Sequence, residues 1–378
     1  MNNQLTAALT ITVCLVTFLV CSIIGAFHYV ALRAQHRQRR HILLLTLGFA
    51  AATLGYVEPV VRVLNPPLAV YLYVPYLLLV MECVVLLYHF LYLITDDGSH
   101  KPFAAFGYLM PPAIACALYL FSGQIPYGRR CSIMSAENLL HTPMSVDEIL
   151  YMMLPFLFSI YNVAYWLGSL RRIRRYKQVA DNYSADEKRT SLVWLRYFFW
   201  LLGISSLAPL ARMAYFWNLS ETMFILLFLL PPFEAILLYN AIKGNYVLVP
   251  PLTPSERESL EATAPERLRP ISRRRFEHYM ETKKPYLNPE LCIADMLREL
   301  GTNRTYLSSF INQEYNMNFK TLINCYRLRE VERLRQHPPR QGYGTMDLVL
   351  AAGFGSYSSY LNASRRQYES QMLPEHER

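Results

Sequence analysis

Charge is what this 378-residue chain has least of. Asp, Glu, Lys and Arg make up 17% of it and hydrophobic residues 53%, where a soluble protein carries about 25% charge. Glycine is also scarce, 15 residues against 23 prolines and without a three-residue period, which excludes a collagen-like chain. Low charge beside 28 Tyr and 19 Phe excludes wholesale disorder, which needs few aromatics and high net charge. The seven cysteines fit no disulfide framework: Cys14, Cys21, Cys83 and Cys116 lie in apolar runs, Cys131 stands alone, and Cys292 and Cys325 fall in a charged region. No CxxC or Cys/His ligand spacing occurs, so no metal site is expected. GxSxG, HExxH, Walker and GxGxxG patterns are missing too, which argues against an enzyme and against a resident cofactor.

What is present is unevenly placed. Mean hydropathy is only +0.14, low for a chain that is membrane-embedded throughout, and the charges separate it into unlike parts. Through residue 245 there are 18 Lys and Arg against 12 Asp and Glu; the remaining 133 residues hold 19 against 16. A spanning helix needs about 20 mostly apolar residues. Seven segments qualify: Thr6 to Leu32, Ile42 to Val63, Leu68 to Ile94, Phe103 to Phe121, Ile149 to Leu170, Ser191 to Leu210 and Met223 to Ile242. Pro111-Pro112 and Pro231-Pro232 interrupt the fourth and seventh, which spanning helices tolerate better than soluble ones. The first run is too long for a signal-peptide core and lacks a basic flank, so it reads as a retained helix.

Cytoplasmic loops hold the excess of Lys and Arg. The loops after the first, third and fifth spans carry Arg33, Arg37, Arg39, Arg40, Lys101, Arg171, Arg172, Arg174, Arg175, Lys177, Lys188 and Arg189; the opposite side has Arg129, Arg130 and Arg212. Twelve against three predicts an outside N-terminus and delivers residue 246 onward to the cytoplasm. The domains expected are therefore a transmembrane domain over 1–245, a linker over 246–270 that begins with the dense prolines Pro250, Pro251 and Pro254, and a soluble domain over 271–378.

The soluble part reads as helices in a repeated arrangement. Phe276, Met280 and Tyr286 suggest a first short helix. Ile293, Met296, Leu297 and Leu300 form an apolar face that stops at Gly301-Thr302-Asn303, and a second helix begins at once. Two short helices around a glycine turn are the helix-turn-helix pattern, whose second helix enters the DNA major groove. A long helix from Phe319 to about Gln336 follows, with apolar Leu322, Ile323, Tyr326, Leu328, Val331 and Leu334, and His337-Pro338-Pro339 ends it. The arrangement then recurs: Val349 stands four positions before Gly353, as Leu297 stands before Gly301, and Ser356 opens another helix.

Thr302-Asn303-Arg304-Thr305-Tyr306-Leu307-Ser308, Phe319 through Arg327-Leu328, and Ala351-Ala352-Gly353-Phe354, with their spacing over about the last 105 residues, resemble the DNA-binding domain of the AraC/XylS family of bacterial transcriptional regulators. The resemblance implies two helix-turn-helix units joined by one long helix, each inserting its second helix into the major groove. The second unit departs from the family pattern. Ser364 stands where a bulky aromatic is usual, Gln371-Met372-Leu373-Pro374 replaces a Gly-x-Thr/Ser-Pro stretch, and the chain ends in Glu377-Arg378 rather than an aromatic-basic sequence. Loss of a core aromatic costs about 3 kcal/mol, so a looser second reading head is expected.

Base reading needs hydrogen-bonding side chains on one helix face, above phosphate contacts that hold position. In the first unit Asn303, Arg304, Ser308, Ser309 and Asn312 supply them; Arg to guanine and Asn to adenine are the favoured bidentate pairs. In the second, Ser356, Tyr357, Ser359 and Asn362 hold the analogous face, with Arg365 and Arg366 placed for phosphates. Ser308 and Ser356 also suit helix capping. Within the spans, ionisable groups are costly and often functional, which singles out Glu82 and Glu234 as candidate signal or ligand sites; Glu58 and Arg62, one turn apart, suit a structural pair.

The fold class this predicts is all-α, a seven-helix transmembrane bundle followed by a soluble double helix-turn-helix DNA-binding domain. The expected function is a one-component transcription regulator in the bacterial cytoplasmic membrane. Its expected partners are double-stranded promoter DNA, RNA polymerase, the lipid bilayer, a second copy in a homodimer, and a small-molecule or membrane signal. The competing expectation is a membrane receptor or transporter whose cytoplasmic helical domain binds protein.

Overall fold

Apolar runs, strong helix formers and the low glycine content all favour helix, and helix is what forms. The computed structural model describes residues 2–33, 38–96, 103–104, 106–135, 145–206, 220–250, 271–338 and 342–372. Among them there is no strand, only one isolated antiparallel bridge between Ser184 and Cys292. The chain divides into two compact units. The first comprises 1–94, 101–173 and 193–244; the second comprises 95–100, 174–192 and 245–378.

The first unit is built from α1 (Asn2–Ala31), α2 (Gln38–Gly55), α3 (Val57–Leu64), α4 (Pro66–Ile94), α5 (Phe106–Gln124), α6 (Tyr127–Ser135), most of α7 (Val146–Asp181), α9 (Val193–Ser206) and α10 (Ser220–Lys243). Among the described residues five stretches are long and apolar enough to cross a membrane: Ile11–Ala31, Gln38–Leu64, Pro67–Ile94, Phe106–Gln124 and Val146–Asp181. The second is interrupted at Tyr56, between α2 and α3. Of the expected sixth span, α9 supplies 14 residues, and 207–210 lie outside the described residues, as do Arg37, Lys101, Arg212 and linker residues 251–270. The helix α10 continues through Pro231-Pro232. Small residues set close helix packing: a Cβ on Gly25 would meet the Thr46 side chain of α2, and Gly48 lies against Leu86 and Leu87 of α4.

The basic segment 171–177 is not loop: α7 runs on to Asp181. Arg, Lys, Gln and Ala are strong helix formers, and neither Gly nor Pro occurs between 169 and 181 to stop them. The segment Tyr127–Ser135, expected as outer loop, forms α6.

The second unit holds the end of α7, the short α8 (Glu187–Thr190), α11 (Arg273–Lys283), α12 (Ile293–Leu300), α13 (Arg304–Tyr315), α14 (Phe319–Gln336), α15 (Thr345–Ala351) and α16 (Tyr357–Met372). Tyr286, expected on the first helix, sits instead in a 3-10 turn over Pro285–Leu287, because the helix ends where Pro285 cannot continue it and Lys284 turns left-handed. One core gathers Phe276, Met280, Ile293, Met296, Leu300, Leu307, Ile311, Phe319 and Ile323. A smaller one joins Val331 and Leu334 of α14 to Leu348, Val349, Ala352, Phe354 and Ala363. Tyr360 packs against this second core, its ring 5.7 Å from that of Phe354, and its hydroxyl accepts from Arg335 Nη2 at 2.9 Å.

Candidate functional site

The two glycines that the sequence marks as turns do different work. Gly301 closes α12 with φ +63, and the N–H groups of Gly301 and Thr302 both bond to the Leu297 carbonyl, the left-handed stop that glycine favours. Gly353 has φ +92, and a Cβ there would lie 2.3 Å from the Tyr286 carbonyl oxygen. It is a close-approach glycine, where the backbone after α15 rests on the turn that follows α11.

Asn303 then caps α13: its carboxamide oxygen accepts from Tyr306 N at 2.8 Å. Leu307, Phe310 and Ile311 are buried on one side of α13. At 100° per residue, Arg304, Ser308, Ser309 and Asn312 fall within about 140° on the other; Arg304 and Ser308 are half-buried, Ser309 and Asn312 exposed. Arg304 does not extend freely. Its Nη1 donates to the Pro250 carbonyl at 2.7 Å, and its guanidinium carbon stands 5.9 Å from the centre of the Tyr183 ring.

In the second pair, Ser356 accepts from Ser359 N at 3.2 Å and its hydroxyl lies 2.9 Å from those of Ser358 and Ser359. The capping role thus falls on Ser356, and Ser359 turns back into this hydroxyl cluster. Tyr357, Asn362, Arg365 and Arg366 are exposed along α16. Asn362 Nδ2 donates to Glu187 Oε1 at 3.3 Å, and Arg366 stands 3.9 Å from the same oxygen.

The long helix α14 carries a polar interior that apolar periodicity did not reveal. Arg327 is 2% exposed. Its guanidinium donates to the carbonyls of Tyr286 at 2.8 Å, Asn288 at 2.7 Å and Ala185 at 3.1 Å, and lies 5.8 Å from the centre of the Phe354 ring. Burial pulls it down to about 10 from the usual 12.5, leaving it charged at neutral pH. Lys320, also 2% exposed, donates to Asp181 Oδ1 at 3.1 Å and Thr190 Oγ1 at 2.9 Å. Glu330 accepts from Arg333 and from Lys284, which hold its carboxyl below the usual range. Sequence offers no signal that singles these residues out, because ten of the helix's eighteen residues are polar or charged.

In the first unit, Glu58 is buried and paired with Arg62, whose Nε donates to Oε1 at 2.9 Å, in line with a structural pair. Glu82 is half-buried on α4. Glu234, two residues past Pro231-Pro232, is 1% exposed, and neither carboxyl oxygen has a hydrogen-bond partner among the described residues. A feature that the sequence did not point to is His89, stacked on Phe103 with ring centres 4.2 Å apart and 2.6 Å from the Tyr108 hydroxyl. Among the described residues no group of three His, Cys, Asp or Glu could hold a metal ion.

Compared with protein-family models, curated proteins and solved structures, the chain matches none.

Proposed function

We propose that this chain is a membrane-integrated, one-component transcription regulator that binds specific promoter DNA through its second unit. The observation that carries the reading is the stripe Arg304, Ser308 and Asn312 on α13. It follows a left-handed glycine turn, opposes a buried apolar face, and is repeated in shorter form by Asn362, Arg365 and Arg366 on α16. Arg and Asn are the side chains that pair bidentately with guanine and adenine. The resemblance to AraC/XylS regulators in Thr302–Ser308, Phe319–Leu328 and Ala351–Phe354 points the same way.

In this reading seven spans hold the protein in a bacterial cytoplasmic membrane, N-terminus outside, and the second unit lies in the cytoplasm, where it meets promoter DNA and RNA polymerase, as a homodimer on paired half-sites. The membrane part senses. Glu234 is its best-motivated element, because a buried carboxyl without a hydrogen-bond partner is costly unless it takes a proton or a cationic ligand; Glu82 is the secondary element. Genome-wide mapping of DNA bound to the tagged full-length protein tests the reading. It should recover a small set of promoters, and Arg304→Ala should lower affinity for them by about 1–3 kcal/mol. If no DNA is enriched, or if Arg304→Ala changes neither binding nor expression, the cytoplasmic unit binds protein instead.

A further inference from the structure

Residues 181–192 look in sequence like the end of a basic cytoplasmic loop, yet they belong to the compact unit that carries the proposed DNA face. Their attachment has two tiers. The inner tier is buried. Ile293 N donates to the Tyr183 carbonyl at 2.8 Å, Ala185 N donates to the Leu291 carbonyl at 2.9 Å, and Ala185 sits 2% exposed in the main core. Lys320 reaches across to Asp181 and Thr190, and Arg327 takes the Ala185 carbonyl.

The outer tier is lighter and lies on the reading side chains. Glu187 accepts from Asn362 at 3.3 Å and faces Arg366 at 3.9 Å. On the first helix pair, the Tyr183 ring backs Arg304, whose Nη1 is held by the Pro250 carbonyl. A carboxylate on Arg366 and Asn362, and a carbonyl on Arg304, present the same acceptor chemistry as phosphate oxygens and base edges.

We propose that the segment Asp181–Leu192 is an autoinhibitory clamp: anchored permanently by Lys320 and Arg327, it places Glu187 as a stand-in for DNA on Asn362 and Arg366. This rests on the reading of the second unit as a DNA binder. The difference between the tiers gives the device its logic. A buried ion pair with a second hydrogen bond is expensive to break, whereas a partly exposed pair at 3.9 Å such as Glu187–Arg366 holds only weakly. DNA therefore displaces the tip without releasing the anchor, and the clamp lowers affinity rather than abolishing binding.

The test uses the full-length protein in lipid nanodiscs with a promoter fragment recovered by genome-wide mapping. Glu187→Gln and Glu187→Ala should each bind it on the order of three- to fivefold more tightly than the unmodified protein at low salt, and the advantage should shrink as salt screens the charge. Equal or weaker binding by both variants, while the unmodified protein binds the fragment specifically, overturns the clamp and leaves the DNA-binding reading intact. No specific binding by any of the three overturns both. Hydrogen exchange supplies a second measurement that does not depend on a variant folding. On adding DNA, amides of 187–188 should exchange faster while Ala185, Thr190 and Ile293 stay protected; added protection at 187–188 overturns the proposal.

Discussion

Replacing Arg327 tests whether its buried guanidinium is the pin on which the second unit turns. Met is close in volume and keeps the apolar stem, but it deletes every donor. The carbonyls of Tyr286 and Ala185 then lose this donor, while that of Asn288 keeps the Leu291 N–H at 3.2 Å, and each buried acceptor left unpaired costs about 1–3 kcal/mol. Against this stands relief from burying a cation. The drop of its pKa to about 10 from 12.5 corresponds to roughly 3 kcal/mol at 1.36 kcal/mol per unit. Two carbonyls at about 1–3 kcal/mol each, less about 3 kcal/mol regained, predict that Arg327→Met destabilises the unit by no more than about 3 kcal/mol. Arg327→Lys should cost at least as much, because a single ammonium keeps the buried charge but cannot reach the three carbonyls that the planar fork serves. The assay is hydrogen exchange of the slowest α14 amides in the full-length protein, read as an opening free energy. A Met variant destabilised by more than about 4 kcal/mol would refute the reasoning by showing that no relief from the buried charge offsets the lost donors, and a Lys variant that behaves like the unmodified protein would refute it by showing that the carbonyls find other partners.

Three further outcomes follow from neighbouring features. Gly353→Ala should destabilise the unit by about 2–4 kcal/mol, combining a left-handed φ with a Cβ 2.3 Å from the Tyr286 oxygen. Gly301→Ala should cost only about 1 kcal/mol, because its φ is positive but the nearest atom is Arg275 Nη2 at 3.8 Å; thermal unfolding followed by limited proteolysis ranks the two. Asp181→Asn and Lys320→Met should each destabilise, while the double variant should lose less than their sum, because removing both charges leaves none unpaired in the interior; a double-mutant cycle with additive effects would show that the pair is not coupled. Glu330 has a folded pKa below its unfolded value of 4.5. Its contribution is therefore present above about pH 4.5 and lost as pH falls through the lower folded value, and Glu330→Gln should flatten the acid limb of a stability–pH curve.

Much of the helical plan was legible because it rests on local physics. The long helix over 319–336 ends where His337-Pro338-Pro339 forbids continuation, and Asn303 and Gly301 set a boundary through capping and a left-handed turn. Five of the seven expected apolar spans were legible for the same reason, since length and composition alone qualify them among the described residues. Two kinds of feature escaped. The charge of the run 171–177 speaks for orientation, but its side chains equally favour helix and extend α7. The interior partners of α14 escaped because Lys320, Arg327 and Glu330 look solvent-facing by type; only a fold that brings distant carbonyls and carboxylates to them makes their burial affordable.

By itself the sequence determined the all-helical character, the low charge confined to apolar runs, the two turn glycines and the polar stripe on α13, all of which depend on residues within a few positions of one another. What only the tertiary structure decided is which distant segments share a unit. Ala185 meets Leu291 and Arg327, Asp181 meets Lys320, and Glu187 meets Asn362 across separations of more than 100 residues. Pairings that far apart leave no periodic trace in a chain, because closing such a loop depends on the whole fold rather than on neighbouring side chains.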